Sequence, residues 1–90
     1  MELKQTRTFK NKVKKLHKNQ KEQLDQALKQ ILKNPLLGEL KKGDLEGVRV
    51  YKFQMVNQLI LVAYLFDERE QSITLLAIGT HENFYKNLKS

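Results

Sequence analysis

The 90 residues of this chain, with 17 lysines and arginines against 10 aspartates and glutamates, predict one domain (residues 1–90) whose net charge of +7 suits a polyanionic partner such as nucleic acid. The absence of cysteine excludes a disulfide framework, and the two distant histidines, His17 and His81, indicate neither a metal site nor a cofactor. No apolar stretch approaches the roughly 18 residues of a membrane span, and the N-terminus has no signal-peptide core, so we expect a cytoplasmic protein without membrane contacts.

The N-terminal part of the chain predicts a short edge strand followed by two helices. Residues 1–8 alternate loosely, and from Phe9 onward the apolar residues follow helical intervals. Asn19 is the expected N-cap of the second helix, and Asn34-Pro35 ends it, because the residue before a proline is disfavoured in the helical conformation. Two helices joined by a short break predict an antiparallel helical hairpin. The apolar stripes of the helices are Phe9, Val13 and Leu16, then Leu24, Ala27, Leu28, Ile31 and Leu32.

The rest of the sequence predicts a loop and three strands in hairpin succession. Residues 36–46 contain two glycines and two adjacent lysines, a composition typical of a loop. Residues 47–55 are rich in β-forming residues and lead through a tight turn at Asn57-Gln58 into residues 59–66. That second segment is apolar at almost every position, which is typical of a central strand buried on both faces. The last strand covers residues 72–78 and follows a polar turn.

These elements predict an α+β domain of order β-α-α-β-β-β, in which the N-terminal helical hairpin packs on one face of a small antiparallel sheet. Exposed polar residues of the strands are expected to gather on the other face. Gly79 ends the last strand, and Thr80 is expected to cap a short C-terminal helical turn. His81 and Tyr85 would then lie one turn apart on the same helical face. An imidazole and a phenol placed in this way suit proton transfer.

Several motifs occur in a fixed order along the whole chain. They are the helix end at Asn34-Pro35, GDLEGVR at residues 43–49, Lys52 within VRVYKF, LVAY at residues 61–64 and IGTHENFY at residues 78–85. Their order and spacing resemble the RelE/ParE superfamily, in particular its RelE/StbE-like members, which are the toxins of bacterial type II toxin–antitoxin modules. The resemblance implies a cognate antitoxin, expected to be acidic, that wraps and inhibits the toxin. It also implies contact with operator DNA only through the antitoxin complex.

The resemblance implies two functions of different classes. RelE-like members are endoribonucleases that enter the ribosomal A site and cut the mRNA there, so that the partners are the ribosome and mRNA. ParE-like members share the fold, poison DNA gyrase and have no ribonuclease activity. A degenerate toxin that survives as an antitoxin-binding module is a third interpretation.

Metal-free RNA cleavage needs a base for the 2′-OH, a cation for the developing phosphorane charge and an acid for the leaving 5′-oxygen. Matched by position, the resemblance implies that these catalytic residues are His81, Lys52, Tyr85 and Arg49. Many RelE-like ribonucleases carry an arginine on the third strand at the position that here is Leu61, a departure that favours the gyrase alternative. The expected RNA-binding residues are Lys41 and Lys42 in the loop and Lys10 and Lys14 on the first helix.

Each of these residues also has a purely structural interpretation. His81 would cap the last strand, Tyr85 would pack its ring under the helical hairpin, and the lysines of the first helix would form a solvated face. Lys52 interrupts an apolar strand and must reach solvent or an anion on the face opposite the helices.

Overall fold

A computed structural model of the chain describes residues 1–43 and 46–80. The predicted α+β class with two consecutive helices is confirmed. The predicted C-terminal helical turn lies outside the described residues, and so do His81 and Tyr85. The prediction that Gly79 ends the last strand is wrong, because Gly79 and Thr80 still pair with Leu61 and Ile60 of the preceding strand. The elements are β1 (Glu2–Gln5), α1 (Arg7–Lys14), α2 (Lys18–Lys33), β2 (Glu39–Leu40), β3 (Arg49–Met55), β4 (Gln58–Asp67) and β5 (Ser72–Thr80).

The first helix begins at a cap that also fastens it to the sheet. The hydroxyl oxygen of Thr6 accepts a hydrogen bond from the backbone N–H of Phe9 at 3.1 Å, which satisfies one of the free donors of the first turn. The same hydroxyl donates to the backbone carbonyl of Leu76 in β5 at 3.0 Å. The buried ring of Phe9 anchors the helix in the core on this side.

The second helix begins earlier than the sequence predicts. Its N-cap is His17 and not Asn19, because the side-chain oxygen of Gln20 accepts a hydrogen bond from the backbone N–H of His17 at 2.8 Å. A glutamine three residues after the cap is one half of a capping box, and this signal outweighs the capping tendency of Asn19. The predicted helix end before Asn34-Pro35 is confirmed, since α2 stops at Lys33.

The sheet has five strands in the order β1-β5-β4-β3-β2. The predicted antiparallel pairing of the last three strands is confirmed, but β1 lies parallel to β5, so the sheet is mixed. Parallel neighbouring strands require a long connection, and here the elements from α1 to β4 form it. Residues 36–46, predicted as a loop, contain the two-residue strand β2, which pairs with the start of β3.

The hairpin between β3 and β4 turns one residue earlier than predicted. Its two central residues are Val56 and Asn57, with φ angles of 50° and 58°. Positive φ at both positions matches the right-handed twist of the flanking strands. Gln58, predicted as part of the turn, is the first residue of β4.

The two helices cover one face of the sheet, and the main core lies between them. The prediction that β4 is buried on both faces is confirmed, since residues 61–64 have no exposed surface. The fully buried residues of the main core include Phe9 and Ile31 from the helices and Val62, Tyr64 and Ile73 from the strands.

The opposite face of the sheet, called the far face below, is only partly polar. Val50, Leu61 and Ala63 form a second buried apolar cluster there. Lys52 and Gln54 are exposed on the same face, because side chains of one strand alternate between faces. The expectation that this face gathers exposed polar residues is therefore wrong at its centre, because β4 is apolar along its whole middle section.

Candidate functional site

Lys52 lies in the middle of β3 with its side chain exposed on the far face. Its cross-strand partner on β4 is Leu61, and the partner of Leu61 on β5 is Gly79. Because neighbouring strands lie about 4.8 Å apart, Lys52 and Gly79 are separated by about 10 Å within one row across the sheet. This row, called the Lys52 row below, brings the lysine close to the end of β5, two residues before His81.

Leu61 occupies the middle of the Lys52 row, at the position where the resemblance leads one to expect an arginine. Its side chain has no exposed surface and packs in the apolar cluster of the far face. Among the residues that the structure describes, this row therefore carries a single cation, Lys52.

A carboxylate and a second lysine share the far face with Lys52. Glu39 pairs directly with Val50, so Lys52 is its diagonal neighbour, a relationship that spans about 7–8 Å in an antiparallel ladder. The ammonium nitrogen of Lys41 lies 3.3 Å from a carboxylate oxygen of Glu39. These three residues, Glu39, Lys41 and Lys52, are called the charged patch below.

The sequence does not indicate that Glu39 lies next to Lys52, because the segment around Glu39 has the composition of a loop. Had β2 been recognised, the two-residue spacing of Glu39 and Lys41 would have placed both side chains on one face. The backbone N–H of Lys41 donates to the carbonyl of Val48 at 2.9 Å, which extends the β2–β3 ladder past the end of β2. Lys42, the next residue, is exposed.

Arg49 points away from the charged patch. Lys52 lies three positions after Arg49 on the same strand, an odd offset, so the two side chains leave opposite faces of the sheet. One guanidinium nitrogen of Arg49 donates to the backbone carbonyls of Gly38 at 2.9 Å and of Leu36 at 3.3 Å. The structure therefore does not bring Arg49 and Lys52 together, and it gives Arg49 partners in the loop after α2.

Tyr64, the cross-strand partner of Arg49, also holds this loop in place through two hydrogen bonds. The hydroxyl of Tyr64 accepts a hydrogen bond from the backbone N–H of Gly38 at 2.9 Å and donates one to the carbonyl of Pro35 at 2.7 Å. Burial raises the pKa of Tyr64, while the Gly38 hydrogen bond and the nearby charge of Arg49 act in the opposite direction. The phenol is therefore a neutral structural group near pH 7.

Lys10 and Lys14 lie on the helical side of the molecule. Both are exposed on α1, one turn apart, and α1 packs against β5. The sheet separates these lysines from Lys52. The expected RNA-binding residues thus form two surfaces, one on α1 and one beside β2.

A cavity of about 290 Å³ lies between α1 and the sheet, where β5 ends. Its lining combines positive charge from two lysines with four large apolar side chains. The lining residues are Lys12, Lys15, Leu16, Gln20, Met55, Gln58, Ile60, Ile78, Gly79 and Thr80. The sequence does not reveal this cavity, because its walls come from both helices and their connection, the β3–β4 hairpin and the last strand.

Within residues 1–43 and 46–80, no three His, Asp or Glu side chains are grouped in a way that could hold a metal ion. In the same part of the chain no helix is both long and apolar enough to cross a membrane. The chemistry that the charged patch can provide is electrostatic: an exposed ammonium group beside an apolar cluster can stabilise negative charge that develops on a bound phosphate.

Solved structures that share this fold include the following three. The chain is 18% identical to a chain of the intact Escherichia coli RelBE toxin–antitoxin complex, with a TM-score of 0.71 over 88% of this chain and 94% of that chain. For the RelBE2 toxin–antitoxin complex of Mycobacterium tuberculosis the identity is 16% and the TM-score 0.76, covering 89% and 96% of the two chains. For the YoeB/ParE toxin of Agrobacterium tumefaciens the values are 16% and 0.72, covering 90% and 99%. No curated protein sequence matches the chain significantly.

The sequence itself matches one family over almost its whole length. The sequence model of the family described as "ParE-like toxin of type II bacterial toxin-antitoxin system" covers residues 3–89. The predicted resemblance to the RelE/ParE superfamily is thereby confirmed, and the architecture of the helices and sheet agrees with it. The chain belongs to the ParE-like toxins of type II bacterial toxin–antitoxin systems.

Proposed function

We propose that this toxin is a ribosome-dependent endoribonuclease that cuts mRNA in the cytoplasm without a metal ion or a cofactor. The observation that carries the proposal is the Lys52 row. It holds an exposed ammonium group about 10 Å from Gly79, and the chain continues from there to His81 and Tyr85. A cation and two proton-transfer groups would then meet at one end of the sheet.

The proposed reaction uses the RNA's own 2′-OH as the nucleophile. The 2′-oxygen attacks the adjacent phosphorus and loses its proton, the bond from phosphorus to the 5′-oxygen breaks, and that oxygen takes up a proton. The products are a 2′,3′-cyclic phosphate and a free 5′-hydroxyl. Lys52 stabilises the negative charge of the phosphorane, and His81 and Tyr85 carry the protons.

Arg49 contributes to this site in a different way from Lys52. Its guanidinium is already bonded to the carbonyls of Gly38 and Leu36. We therefore assign the direct phosphate contact to Lys52 and expect Arg49 to add positive potential while it holds the loop that leads to Glu39 and Lys41.

RNA binding in this proposal uses both basic surfaces. Lys41, which belongs to the charged patch, and the adjacent Lys42 would contact the mRNA backbone near the cut. Lys10 and Lys14 lie on the other side of the sheet, where they would contact surrounding ribosomal RNA. Contacts of this kind are independent of sequence and weaken as salt is added.

We further propose that an acidic cognate antitoxin inhibits this toxin, and that operator DNA is contacted only through their complex. The net charge of +7 favours an acidic partner. The related chains from E. coli and M. tuberculosis come from toxin–antitoxin complexes.

A second candidate function is inhibition of DNA gyrase without any cleavage of RNA. It is favoured by Leu61, which is fully buried in the place of the arginine of related ribonucleases. A gyrase inhibitor needs no transition-state cation at that position.

Translation in vitro with primer extension on the mRNA separates the two candidates. The nuclease proposal predicts discrete cuts at codons in the ribosomal A site, absent without ribosomes and strongly reduced by Lys52→Ala. An intact message, together with an accumulation of gyrase–DNA breaks in a parallel assay, would establish the gyrase alternative instead.

A further inference from the structure

Within residues 1–43 and 46–80, one edge of β3 is unpaired along most of its length. Its neighbour β2 has only two residues and pairs with Arg49 and Val50 at the very start of β3. Along a strand, the backbone N–H and C=O groups of successive residues point to opposite sides. The carbonyl of Val48 accepts a hydrogen bond from Lys41 on the β2 side. Lys52 and Gln54 lie an even number of positions after Val48, so their backbone N–H and C=O groups point to the same side. β2 does not reach them, and these groups have no partner within the described part of the chain.

A groove of about 250 Å³ runs beside this edge, between β3 and α2. One wall holds the rings of Tyr51 and Phe53, which are half-buried and stack with centroids 6.1 Å apart and planes inclined by 18°. The other wall is a row of uncharged amides at helical spacing. These amides belong to Gln23, Gln26 and Gln30, and the side chain of Gln23 also accepts a hydrogen bond from the backbone of Val56 at 2.9 Å.

The opposite edge of the sheet is protected in a way that the β3 edge is not. On β1, the ammonium group of Lys4 lies 3.8 Å from a carboxylate oxygen of Glu2 and 3.9 Å from one of Glu70. Charges of both signs along a short strand discourage further pairing. Between residues 50 and 57 on β3 and its turn, Lys52 is the one charged residue of the sequence.

We propose that the free edge of β3 binds an extended, acidic segment of a partner protein as a sixth strand. Its backbone would pair with Lys52 and Gln54, a carboxylate would lie opposite the ammonium group of Lys52, and an apolar side chain would enter the groove against Tyr51 and Phe53. The identification of this partner as the acidic antitoxin rests on the proposed function. Binding of the strand itself requires no nuclease activity.

The charge of the chain argues against a second copy as the occupant. Antiparallel pairing of two β3 edges around this region would place the Lys52 side chains of the two copies on neighbouring positions of one face. Like charges at such positions destabilise a sheet, and each copy carries a net charge of +7. The carboxylates of an acidic strand at this edge would instead attract the ammonium group of Lys52.

The test uses the full-length protein, labelled with ¹⁵N, and an acetylated, amidated peptide of three Glu-Val repeats. We expect the backbone amides of Lys52 and Gln54 to shift and to exchange more slowly with solvent when the peptide is added, while those of β1 are unchanged. A peptide of three Lys-Val repeats should bind at least tenfold more weakly, about the effect of exchanging an attractive for a repulsive charge pair. A Glu-Val peptide methylated at alternate backbone nitrogens should lose about tenfold in affinity, because it lacks the donors.

Two matched variants test the same geometry from the protein side. Lys52→Glu should reverse the preference between the Glu-Val and the Lys-Val peptide. Gln54→Pro removes an outward N–H and leaves the bonds from β3 to β4, so it should lower the affinity about tenfold relative to Gln54→Ala. If Gln54→Pro does not fold, the methylated peptide tests the same bonds on the parent protein.

Equal affinity for the Glu-Val, Lys-Val and methylated peptides would overturn the inference, and so would protection at β1 in place of β3. Peptide binding at Lys52 and Gln54 by a protein that leaves mRNA intact would uphold the inference and remove the nuclease proposal. Discrete mRNA cuts by a protein that ignores all three peptides would give the reverse result.

Discussion

The hydroxyl oxygen of Tyr64 accepts a hydrogen bond of 2.9 Å from the backbone N–H of Gly38, which fastens the central strand β4 to the loop after α2. The same hydroxyl donates to the carbonyl of Pro35, and Arg49 bonds to the carbonyl of Gly38 from the neighbouring strand. Gly38 immediately precedes β2, so these bonds determine where β2 starts. They thereby set the position of Glu39 in the charged patch.

Tyr64→Phe should destabilise the fold while leaving the ring in place. The substitution removes one donor and one acceptor and leaves the N–H of Gly38 and the carbonyl of Pro35 without their partner. We expect the free energy of unfolding to fall by about 1–3 kcal/mol, the usual cost of such an orphaned group. Tyr51→Phe is the matched control, because the hydroxyl of Tyr51 has no hydrogen bond within the described residues; it should change the value by less than about 0.5 kcal/mol. Urea denaturation gives both values, and equal effects of the two changes would contradict this account.

Gly38→Ala tests the close approach of the loop to Tyr64. An added Cβ would lie 2.8 Å from both a ring carbon and the hydroxyl oxygen of Tyr64, and the ring is fully buried and cannot move aside freely. We expect a loss of about 1–3 kcal/mol from overpacking. Thermal or urea denaturation measures it, and unchanged stability would show that the loop can shift.

Gly43→Ala is the useful comparison for Gly38→Ala, since its cost should have another origin. A Cβ at Gly43 meets nothing within 4 Å, but the residue has a φ of +73°. Its loss of about 1–2 kcal/mol should come from the left-handed backbone and should be relieved in Gly43→Asn, because asparagine tolerates that conformation. No such relief is expected for Gly38→Asn.

Alkaline pH should reduce the difference in the free energy of unfolding between the parent protein and Tyr64→Phe. The pKa of Tyr64 is raised by burial above the value of about 10 that an unfolded tyrosine has. Between these two pKa values the unfolded chain has lost a proton that the folded chain retains, so unfolding is favoured. The stabilisation is therefore complete below about pH 10 and declines as the pH rises through the folded pKa. Urea denaturation of both proteins between about pH 8 and 11 checks this, and a constant difference across that range would speak against it.

The elements with a strong periodic signal could be predicted from the sequence. The apolar stripe of α2 and the continuous apolar run of β4 each determine what must be buried, and the predicted and observed bounds of both elements agree within one or two residues. The pairing of β1 with β5 had no such signal. Its residues Glu2–Gln5 are exposed throughout, and their partners lie about 70 positions later in the sequence, so only the assembled fold reveals the parallel pairing.

The candidate site was predictable only where alternation along a strand decides the direction of a side chain. Lys52 interrupts an apolar strand, so its exposure on the face opposite the helices follows from the period of two. Alternation also places Arg49 on the opposite face, but its hydrogen-bond partners depend on the path of the loop around Gly38, which the sequence does not reveal. The two-residue strand β2 is likewise a product of tertiary contacts, and Glu39 could not be connected with Lys52 without it.

Arg49→Met should separate a positioning role from a catalytic one. Loss of the guanidinium removes the hydrogen bonds to Gly38 and Leu36, so we expect the free energy of unfolding to fall by about 1–3 kcal/mol. Lys52→Met removes an exposed side chain with no such bonds and should change stability by less than about 0.5 kcal/mol. On saturated ribosomes, Lys52→Met should slow cleavage more than Arg49→Met does. The reverse order of cleavage rates would transfer the phosphate contact from Lys52 to Arg49.

The assignment of the chemistry is tested most directly by single-turnover cleavage of mRNA on ribosomes saturated with toxin, where differences in binding no longer affect the rate. Lys52→Ala and His81→Ala should each lower the rate by about 10²-fold or more, the usual scale for losing a transition-state cation or a general acid or base. Lys14→Ala is the control, since Lys14 lies on α1, across the sheet from Lys52; it should weaken binding and reduce its salt dependence but leave this rate nearly unchanged. Cleavage at the parental rate by both Lys52→Ala and His81→Ala would contradict the proposed active site.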